Sequence, residues 1–389
     1  MDSYDIVIVG AGTAGLSAGI YGARAKRTTL ILDRTRPGGQ AAMTEKMENY
    51  PGFPEAIGGR ELTERFRRHA EAMGARIERG EAVSFAEAEG GCVVRTKEGP
   101  AYQARTLILA PGCEPRRLGI AGEKEFTGGG VSFCATCDAE LFEGVRVVVV
   151  GSGDTAVEEA GFIGRYADEV IMVVVHDEGT LDCNRTQAEA AFANPKLKWM
   201  WNRSILAIEG GDSVTGVRVR NLRTSAEETV PCTGVFLFVG IIPGTAFLGD
   251  FVELRNGFIV TDEKMETSRP RVFAAGDARM KVLRQVVTAA SDGAIAAFHA
   301  DKALTEIDEY ARAVQRAGRE YLLYFYSPPE QRSLDLFPRM EEKAQALGLP
   351  LIKLDTFRYR SVAARCGVKA VPCLVRIENG QVRETIAIL

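Results

Sequence analysis

The sequence predicts an α/β protein built from two Rossmann-like, three-layer dinucleotide-binding domains, with a smaller C-terminal α/β domain. Three observations support this fold class: a glycine-rich turn between a strand and a helix near the N-terminus, a second such turn in mid-chain, and a new strand and helix pattern after residue 317. The length of 389 residues fits two or three domains.

The first glycine-rich turn, G-A-G-T-A-G, follows the strand Y-D-I-V-I-V and precedes an amphipathic helix and the strand T-T-L-I-L-D. Gly10, Gly12 and Gly15 are spaced so that the chain can turn tightly, a pyrophosphate can approach the helix N-terminus, and the helix can pack on the strand. Asp33 ends the second strand, where an acid binds the ribose of a dinucleotide. This segment therefore predicts a dinucleotide site.

The same pattern returns as V-R-V-V-V-V, G-S-G-D-T-A and E-V-I-M-V-V-V-H, with Gly151, Gly153 and Ala156 in the three fingerprint positions. The segment either binds a second dinucleotide or is a strand-to-helix turn that binds nothing. Between the two turns lies the strand T-L-I-L-A-P-G. After them come the strand R-V-F-A-A-G-D and a small-residue helix over 284–297. Side chains this small allow close packing against a backbone or a ligand.

Residues 132–140 read S-F-C-A-T-C-D-A-E and contain the one closely spaced pair among the eight cysteines. A C-x-x-C pair forms half of a zinc site, a structural disulfide or a redox couple. No second C-x-x-C exists and the three histidines are scattered, so we predict no metal site. If Cys134 and Cys137 open a helix, its N-terminus lowers the pKa of the leading thiol and favours exchange. Asp138 either transfers the proton or is a solvated helix-start acid.

Charge and hydropathy exclude several other classes. The formal net charge is −4 with no long block of like charge, so nucleic acid is not an expected partner. The longest apolar stretch, 235–242, is far shorter than the roughly 20 residues that a membrane span needs. The N-terminus runs into the first strand without a basic region or cleavage site, so we expect a cytoplasmic protein.

Seven motifs in this order resemble the low-molecular-weight thioredoxin reductases: G-A-G-T-A-G, P-G-G-Q, E-N-Y-P-G-F, A-P-G, C-A-T-C-D, G-S-G-D-T-A, and A-A-G-D followed by R-Q-V-V-T-A-A. The resemblance covers roughly residues 1–303. It implies an FAD domain at 1–116 and 246–303, and an inserted NAD(P)-binding-like domain at 117–245 that carries the C-x-x-C. It further implies a homodimer and a thioredoxin-like protein as substrate. The remaining residues would form a linker helix at 304–317 and a separate domain at 318–389.

The resemblance assigns roles to individual residues of this sequence. Cys137 would face the flavin, Cys134 would attack the disulfide of the partner, and Asp138 would move the proton. The residues implied to contact FAD are Gly10, Gly12, Gly15, Asp33, Gly39, Gln40, Asn49, Ala110, Gly276, Asp277, Arg284, Gln285 and Val286. The residues that we predict for NAD, from the second turn and the strand that follows its helix, are Gly151, Gly153, Asp154, Thr155, Ala156, His176 and Asp177.

The chain departs from the family after its second strand. Members that use NADPH carry a basic cluster there for the 2′-phosphate, whereas this chain reads V-V-V-H-D-E-G-T-L-D-C-N-R. Asp177 and Glu178 would repel a phosphate, and an acid suits a ribose hydroxyl, so NADH is favoured over NADPH. Arg185 is best interpreted as a surface residue. The alternative is a non-nicotinamide donor such as reduced ferredoxin or a deazaflavin.

The C-terminal segment departs in a second way. Its strand and helix order, and V-K-A-V-P-C-L-V-R-I-E-N-G-Q in particular, resemble thioredoxin with Pro372 in the place of the cis-proline. Residues 329–333 read P-E-Q-R-S, however, so both redox cysteines of that fold are absent. The domain could dock a protein substrate, shield the active site or support dimerisation, or it has no role. Cys366 and Cys373 are expected to be structural.

Three functions remain open from sequence. The leading one is an FAD-dependent disulfide reductase that passes two electrons to Cys134–Cys137 and on to a thioredoxin-like protein. A peroxiredoxin-reductase-like or NADH-oxidase-like flavoprotein is the second, since those relatives join the same core to a thioredoxin-fold domain. The third is an FAD-bound regulatory or docking protein, which the intact C-A-T-C-D disfavours.

Overall fold

A computed structural model describes residues 1–44, 47–88, 90–386 and 388. The N-terminal part of the chain forms strands and two helices around one sheet. Their bounds are β1 (Asp2–Val9), α1 (Thr13–Arg24), β2 (Thr29–Asp33), α2 (Gly59–Met73), β3 (Arg76–Arg79), β4 (Ala82–Ala88), β5 (Gly91–Thr96) and β6 (Ala101–Leu109). β3, β2, β1 and β6 lie side by side and parallel, while β4 and β5 extend the sheet as an antiparallel hairpin.

Burial explains why β1 forms in the middle of this sheet. Its apolar run Ile6–Ile8 is fully buried, as expected for a parallel strand that is covered on both faces. β2 pairs with it from Ile6 opposite Thr29 to Val9 opposite Leu32. This register places the turn after β1 and the end of β2 at the same edge of the sheet.

The middle of the chain forms a second, all-parallel sheet in the order β11-β10-β9-β15-β8, together with the antiparallel sheet β12-β13-β14. Two short strands, β7 and β16, pair with each other where the chain enters and leaves this domain. The bounds are β7 (Cys113–Pro115), β8 (Val131–Ser132), α3 (Ala135–Asp138), β9 (Arg146–Val150), α4 (Asp154–Ile163), β10 (Glu169–Val173), α5 (Arg185–Ala193), β11 (Leu197–Met200), β12 (Arg203–Gly210), β13 (Val214–Asn221), β14 (Glu227–Pro231), β15 (Gly234–Leu237) and β16 (Ile241–Pro243).

The chain then returns to the first sheet through β17 (Leu254–Arg255), β18 (Phe258–Ile259), β19 (Val272–Ala274) and α6 (Val286–Ala317). β19 pairs in parallel with β6. α6 is one continuous helix of 32 residues, so the helices expected at 284–297 and 304–317 are parts of the same element. Neither proline nor glycine interrupts the sequence between Gly293 and Gly318, which allows the helix to continue.

The C-terminal part forms a four-stranded sheet in the order β21-β20-β22-β23. Its elements follow the order expected from sequence: β20 (Glu320–Tyr326), α7 (Gln331–Asp335), α8 (Phe337–Leu347), β21 (Leu351–Asp355), α9 (Arg360–Arg365), β22 (Cys373–Glu378) and β23 (Gln381–Ile386). Tyr310 and Val314 at the end of α6 pack into the core of this sheet. The peptide bond between Val371 and Pro372 is cis.

These elements confirm the predicted α/β class with two Rossmann-like sheets. Among the helices in the described part of the chain, none is long and apolar enough to span a bilayer.

Candidate active site

The first glycine-rich turn leaves room for a ligand at Gly12. A methyl group added to Gly12 would meet no atom within 4 Å, whereas one added to Gly15 would lie 1.8 Å from the Gly10 carbonyl oxygen. Gly15 thus holds α1 close to the turn, and the space at Gly12 stays open at the helix N-terminus. At the same edge, Asp33 Oδ2 accepts a hydrogen bond of 2.5 Å from the Ala11 N–H. The structure thus brings Asp33 into contact with the first glycine-rich turn.

A second acid of this domain, Asp277, has one carboxylate oxygen without a hydrogen-bond partner among the described residues. Asp277 lies in a short 3₁₀ turn (Gly276–Ala278) after β19. Its Oδ1 is buried and, within the described residues, has no hydrogen-bond partner. Burial raises the pKa of Asp277. An uncompensated buried carboxylate oxygen is costly, so the site calls for a ligand hydroxyl, and the ribityl chain of FAD carries such groups.

Other residues that the resemblance implied for FAD surround the same space. A methyl group on Gly39 would lie 3.1 Å from Gly12 Cα, and one on Gly10 would lie 2.1 Å from the Ala110 carbonyl oxygen. Gln40 follows directly and opens a 3₁₀ turn. Arg284 donates to the Asp277 carbonyl oxygen at 3.2 Å, just before Val286 begins α6. The open turn and the unpaired acid both fit FAD.

The C-x-x-C pair forms a disulfide that faces this domain. Cys134 and Cys137 are bonded, with 5.3 Å between their Cα atoms, and α3 begins directly after Cys134. Gln285 Nε2 donates to Thr136 Oγ1 at 2.8 Å and lies 4.0 Å from Cys134 Sγ. Asn49 Nδ2 in turn donates to Gln285 Oε1 at 3.2 Å. The disulfide is thus held against residues implied to contact FAD.

A cleft of about 240 Å³ opens at this contact. Cys137, Asn49, Gln285 and Val286 are among the residues that line it. Cys137 therefore shares one cavity with three of the predicted FAD residues. Such a cavity suits a reaction between a disulfide and a bound group.

Two carboxylates lie beside the disulfide, and the sequence reasoning anticipated one of them. Asp138 Oδ2 accepts a hydrogen bond of 2.5 Å from Ser132 Oγ, and the Cys134 N–H donates to that same hydroxyl at 3.1 Å. Asp138 is thus connected to the backbone of Cys134 through one hydroxyl. This position suits a group that exchanges protons near the thiols.

Glu159 on α4 is the acid that was missed. The backbone N–H groups of Ala135 and Thr136 donate to its carboxylate, and burial raises its pKa. Its Oε2 is buried without a hydrogen-bond partner among the described residues. Helical spacing could have revealed it, because Glu159 follows the buried Ala156 by three residues. Glu159 uses N–H groups at the start of α3 that were expected to stabilise a Cys134 thiolate.

The second glycine-rich turn has the same backbone plan but a different strand end. Gly10 donates to Leu32 in the first domain, and Gly151 donates to Val173 in the second. Residue by residue, Val174 therefore occupies the position of Asp33, and it is fully buried. β10 ends at Val173, earlier than the predicted strand over 169–176, because the chain then leaves β9.

Asp177, predicted to bind NAD, lies away from this turn. Arg223 donates to Asp177 Oδ1 at 2.5 Å, and both side chains are more than 60% exposed. Arg185 is an exposed residue paired with Glu189. Both side chains are thus paired with exposed partners on the surface.

Asp182 takes the place beside the second turn. Ser152 Oγ donates to Asp182 Oδ2 at 2.7 Å, and the Asp182 N–H donates to the Ser152 carbonyl oxygen at 2.9 Å. His176 Nε2 lies 2.7 Å from the same Oδ2. The Ser152 hydroxyl and His176 lower the pKa of Asp182. Of the residues predicted for NAD, His176 is thus brought to the turn and Asp177 is not.

The chain returns to the second turn at residues 182–184 after leaving β10, and this returning segment also contacts the start of α4. Asp154 Oδ1 accepts hydrogen bonds from the backbone N–H and the side-chain amide of Asn184, at 2.9 and 3.0 Å. Thr155 and Ala156 follow in α4, and Ala156 is fully buried. A methyl group on Gly153 would meet no atom within 4 Å, so space remains at the turn itself.

Comparison with known proteins adds to this geometry. Residues 4–293 match the family model for pyridine nucleotide-disulphide oxidoreductases. The chain belongs to this family. The oxidoreductase is 42% identical over 294 residues to thioredoxin reductase of Treponema pallidum, with 76% of this chain and 95% of the relative covered. It is 44% identical over 306 residues to thioredoxin reductase of Peptoclostridium acidaminophilum, with 77% and 96% covered.

A solved structure agrees with these relatives. The crystal structure of thioredoxin reductase from Streptococcus pyogenes MGAS5005 aligns with a TM-score of 0.73 at 35% identity, covering 80% of this chain and 99% of that one. The oxidoreductase is therefore an FAD flavoprotein enzyme with two Rossmann-like domains. The family match ends at residue 293, before the C-terminal sheet.

Proposed function

We propose that this oxidoreductase reduces the disulfide of a thioredoxin-like protein through Cys134 and Cys137, with NADH as the electron donor. The observation that carries the proposal is the contact of the Cys134–Cys137 disulfide with Gln285 and the cleft at Asn49. Bound FAD would supply two-electron redox chemistry at this cleft. The relatives named thioredoxin reductase support the substrate class.

The thiols of this chain then complete a balanced exchange. The Cys134 thiolate attacks one sulfur of the substrate disulfide, forms a mixed disulfide and releases the other sulfur as a thiolate. The Cys137 thiolate attacks Cys134 Sγ, which restores the Cys134–Cys137 disulfide and releases the second substrate thiolate. Each released thiolate takes up one proton, and Asp138 is placed to deliver one through its contact with Ser132.

Access to a protein substrate requires the inserted domain to move. Gln285 lies against Cys134, and Cys137 faces the cleft. Cys134 and Cys137 therefore have to turn outward to reach the disulfide of a protein substrate. The paired strands β7 and β16 are the covalent crossings between the domains and are placed to act as the hinge. We propose that the inserted domain at 117–245 rotates about this hinge relative to the FAD domain at 1–116 and 246–303.

The choice of NADH over NADPH rests on charge. A 2′-phosphate requires cations, yet the residues after β10 are Val174, Val175 and His176, and Asp182 lies beside the turn. Close like charges disfavour phosphate binding, whereas a carboxylate accepts from a ribose hydroxyl. These observations support NADH as the donor and make NADPH a poor one.

A second donor class is favoured by one specific observation. Asn184 lies against Asp154 at the helix start, so the segment that returns after β10 occupies part of that helix start, while the turn itself stays open at Gly153. Reduced ferredoxin or a deazaflavin would bypass this turn and reduce the protein at the FAD domain. The disulfide chemistry of Cys134 and Cys137 is the same in both cases.

The C-terminal sheet is proposed to be a thioredoxin-like domain without redox cysteines. The observed element order supports this assignment. Docking of the protein substrate is its proposed role, since α6 connects it rigidly to the domain that contains Gln285. Removal of 318–389 should then weaken substrate binding and leave reduction of the flavin unchanged. The proposal includes a homodimer, as the family resemblance implies.

Substitution of Cys134 tests the proposed reaction. Cys134→Ser should abolish turnover of a thioredoxin disulfide, whereas Cys183→Ser, a free half-buried cysteine of the same domain, should retain it. Turnover is followed by thiol release with a chemical reductant of the flavin, so that the result does not depend on the donor. Retained turnover in Cys134→Ser would contradict the assignment.

A further inference from the structure

We propose that Asp182 is the residue that recognises the ribose of the donor nucleotide at the second turn and sets the preference for NADH. This inference rests on the proposed nicotinamide donor. Sequence spacing pointed instead to Asp177, which the structure pairs with Arg223. The first glycine-rich turn is a template for the second, because Gly10 and Gly151 make the same backbone contact with the neighbouring strand.

In the first domain, the ribose-binding acid contacts the residue between the first two glycines. Asp33 Oδ2 accepts from Ala11, which follows Gly10. The corresponding residue in the second domain is Ser152, which follows Gly151. The acid next to Ser152 is Asp182, with its Oδ2 2.7 Å from Ser152 Oγ. The two carboxylates therefore lie beside equivalent residues, although they come from different points along the chain.

The returning backbone holds Asp182 in this position. Its N–H donates to the Ser152 carbonyl oxygen at 2.9 Å, and Gly153 and Asp182 form a parallel β-bridge. In the first domain, Gly38 makes the same type of contact by donating to the Ala11 carbonyl oxygen at 2.8 Å. The returning segment is thus common to both turns, and in the second turn it presents a carboxylate where the first has a glycine.

The carboxylate is oriented and also accessible. Ser152 Oγ and His176 Nε2 both lie 2.7 Å from Oδ2, which fixes the side chain by two contacts on one oxygen. The side chain of Asp182 is 60% exposed, so Oδ1 can be reached by a ligand. A carboxylate at this point accepts hydrogen bonds from the two ribose hydroxyls of NADH and repels the 2′-phosphate of NADPH. His176 acts through Asp182 and is a positioning residue.

The test measures equilibrium binding of two probes to the FAD-loaded protein: ADP-ribose and 2′-phospho-ADP-ribose, each by calorimetry. Asp182→Asn should weaken ADP-ribose binding by about ten- to a hundredfold, the range expected for lost hydrogen bonds to a charged acceptor. The same variant should bind 2′-phospho-ADP-ribose no more weakly than wild type does. Asp177→Asn, the matched control, should change ADP-ribose binding by less than about twofold.

A second variant separates positioning from charge. Ser152→Ala retains the carboxylate but removes its hydroxyl partner, and it should weaken ADP-ribose binding by less than Asp182→Asn does. Unchanged ADP-ribose binding in Asp182→Asn, or a loss in Asp177→Asn instead, overturns the inference while leaving NADH as the donor. If the wild-type protein binds neither probe, both the role of Asp182 and the nicotinamide donor are wrong. The disulfide reductase assignment is tested separately by Cys134→Ser.

Discussion

The two glycine-rich turns of this protein share a backbone and differ in the side chains that select a ligand. In the first, Asp33 ends the second strand and contacts Ala11 directly. In the second, the equivalent position is the buried Val174, and Asp182 reaches Ser152 from the returning loop. Both domains thus share the same turn and helix start, but the acid beside the turn comes from a strand end in the first and from a returning loop in the second.

The turns also differ in how close the helix lies. The third fingerprint position is Gly15 in the first and Ala156 in the second. A methyl group at Gly15 would lie 1.8 Å from the Gly10 carbonyl oxygen, so the first turn cannot accept the residue that the second contains. The third fingerprint position therefore requires glycine in the first turn and accepts alanine in the second.

The largest expected effect comes from substitution of the third glycine of the first turn. Gly15→Ala should reduce FAD affinity by more than a hundredfold, because relief of the clash with the backbone costs about 3 kcal/mol or more. The measurement is the flavin-to-protein ratio after purification, with circular dichroism to verify folding. Ala156→Gly, the reciprocal change, should leave FAD content unchanged, and equal losses in both variants would contradict the comparison.

The next effect concerns Asp277, which follows β19. The corresponding strand of the second sheet is β8, and it is followed by Phe133 and Cys134 rather than by an acid. Asp277→Asn should weaken FAD binding by about ten- to a hundredfold, because a charged acceptor of a ligand hydroxyl is lost. Flavin release during dialysis measures this. Tighter flavin binding in the variant would contradict the role of Asp277.

Asp277→Asn should also change how the folding stability of the FAD-free protein depends on pH. Burial raises the pKa of Asp277 in the folded state above its unfolded value. The folded state then binds more protons between the two pKa values, so its stability falls as pH rises through that window. Asp277→Asn should flatten this fall, as measured by urea unfolding at a series of pH values upward from pH 4. An identical pH profile in both proteins would contradict it.

A smaller effect converts the second turn toward NADPH. Arginine at both Val175 and His176 supplies the cations that a 2′-phosphate needs, and Val175 is 49% exposed. The variant should improve the kcat/KM ratio of NADPH over NADH by about tenfold. Val83→Arg, at a 40% exposed apolar position of the first domain, controls for added charge. An equal shift in the control would show that the effect is not local.

The smallest effect concerns Asp177, the acid that sequence spacing favoured. Arg223→Ala removes the exposed contact with Asp177, and it should change the free energy of unfolding by less than about 1 kcal/mol. Donor preference should stay the same. A change in donor preference would indicate that Asp177 contributes to nucleotide binding.

The sequence was sufficient for those features that depend on local pattern. Glycine spacing and apolar strands predicted the two Rossmann-like sheets, and local pattern also selected Asp33, which contacts the first turn, and the Cys134–Cys137 pair, which the structure joins in a disulfide. The features it missed depend on long-range packing. Whether β10 continues to His176 or ends at Val173 depends on when the chain leaves β9, which no local pattern records.

The acids show the same limit. Asp182 reaches Ser152 only because the loop after β10 folds back, and Glu159 reaches Ala135 and Thr136 only because α4 packs behind α3. Linear spacing therefore selected the nearest acid after the strand, Asp177, and the acid adjacent to the cysteines, Asp138. Tertiary contacts decide which carboxylates actually meet a turn or a helix start.

Anaerobic reduction of the FAD-loaded protein with NADH, NADPH and reduced ferredoxin in turn tests the central claim most directly. Flavin absorbance reports electron entry, and a thiol titration after denaturation reports arrival at Cys134 and Cys137. The account predicts bleaching by NADH, at least about tenfold slower bleaching by NADPH, and two new thiols. Bleaching by ferredoxin alone, or by NADPH as fast as by NADH, would contradict it.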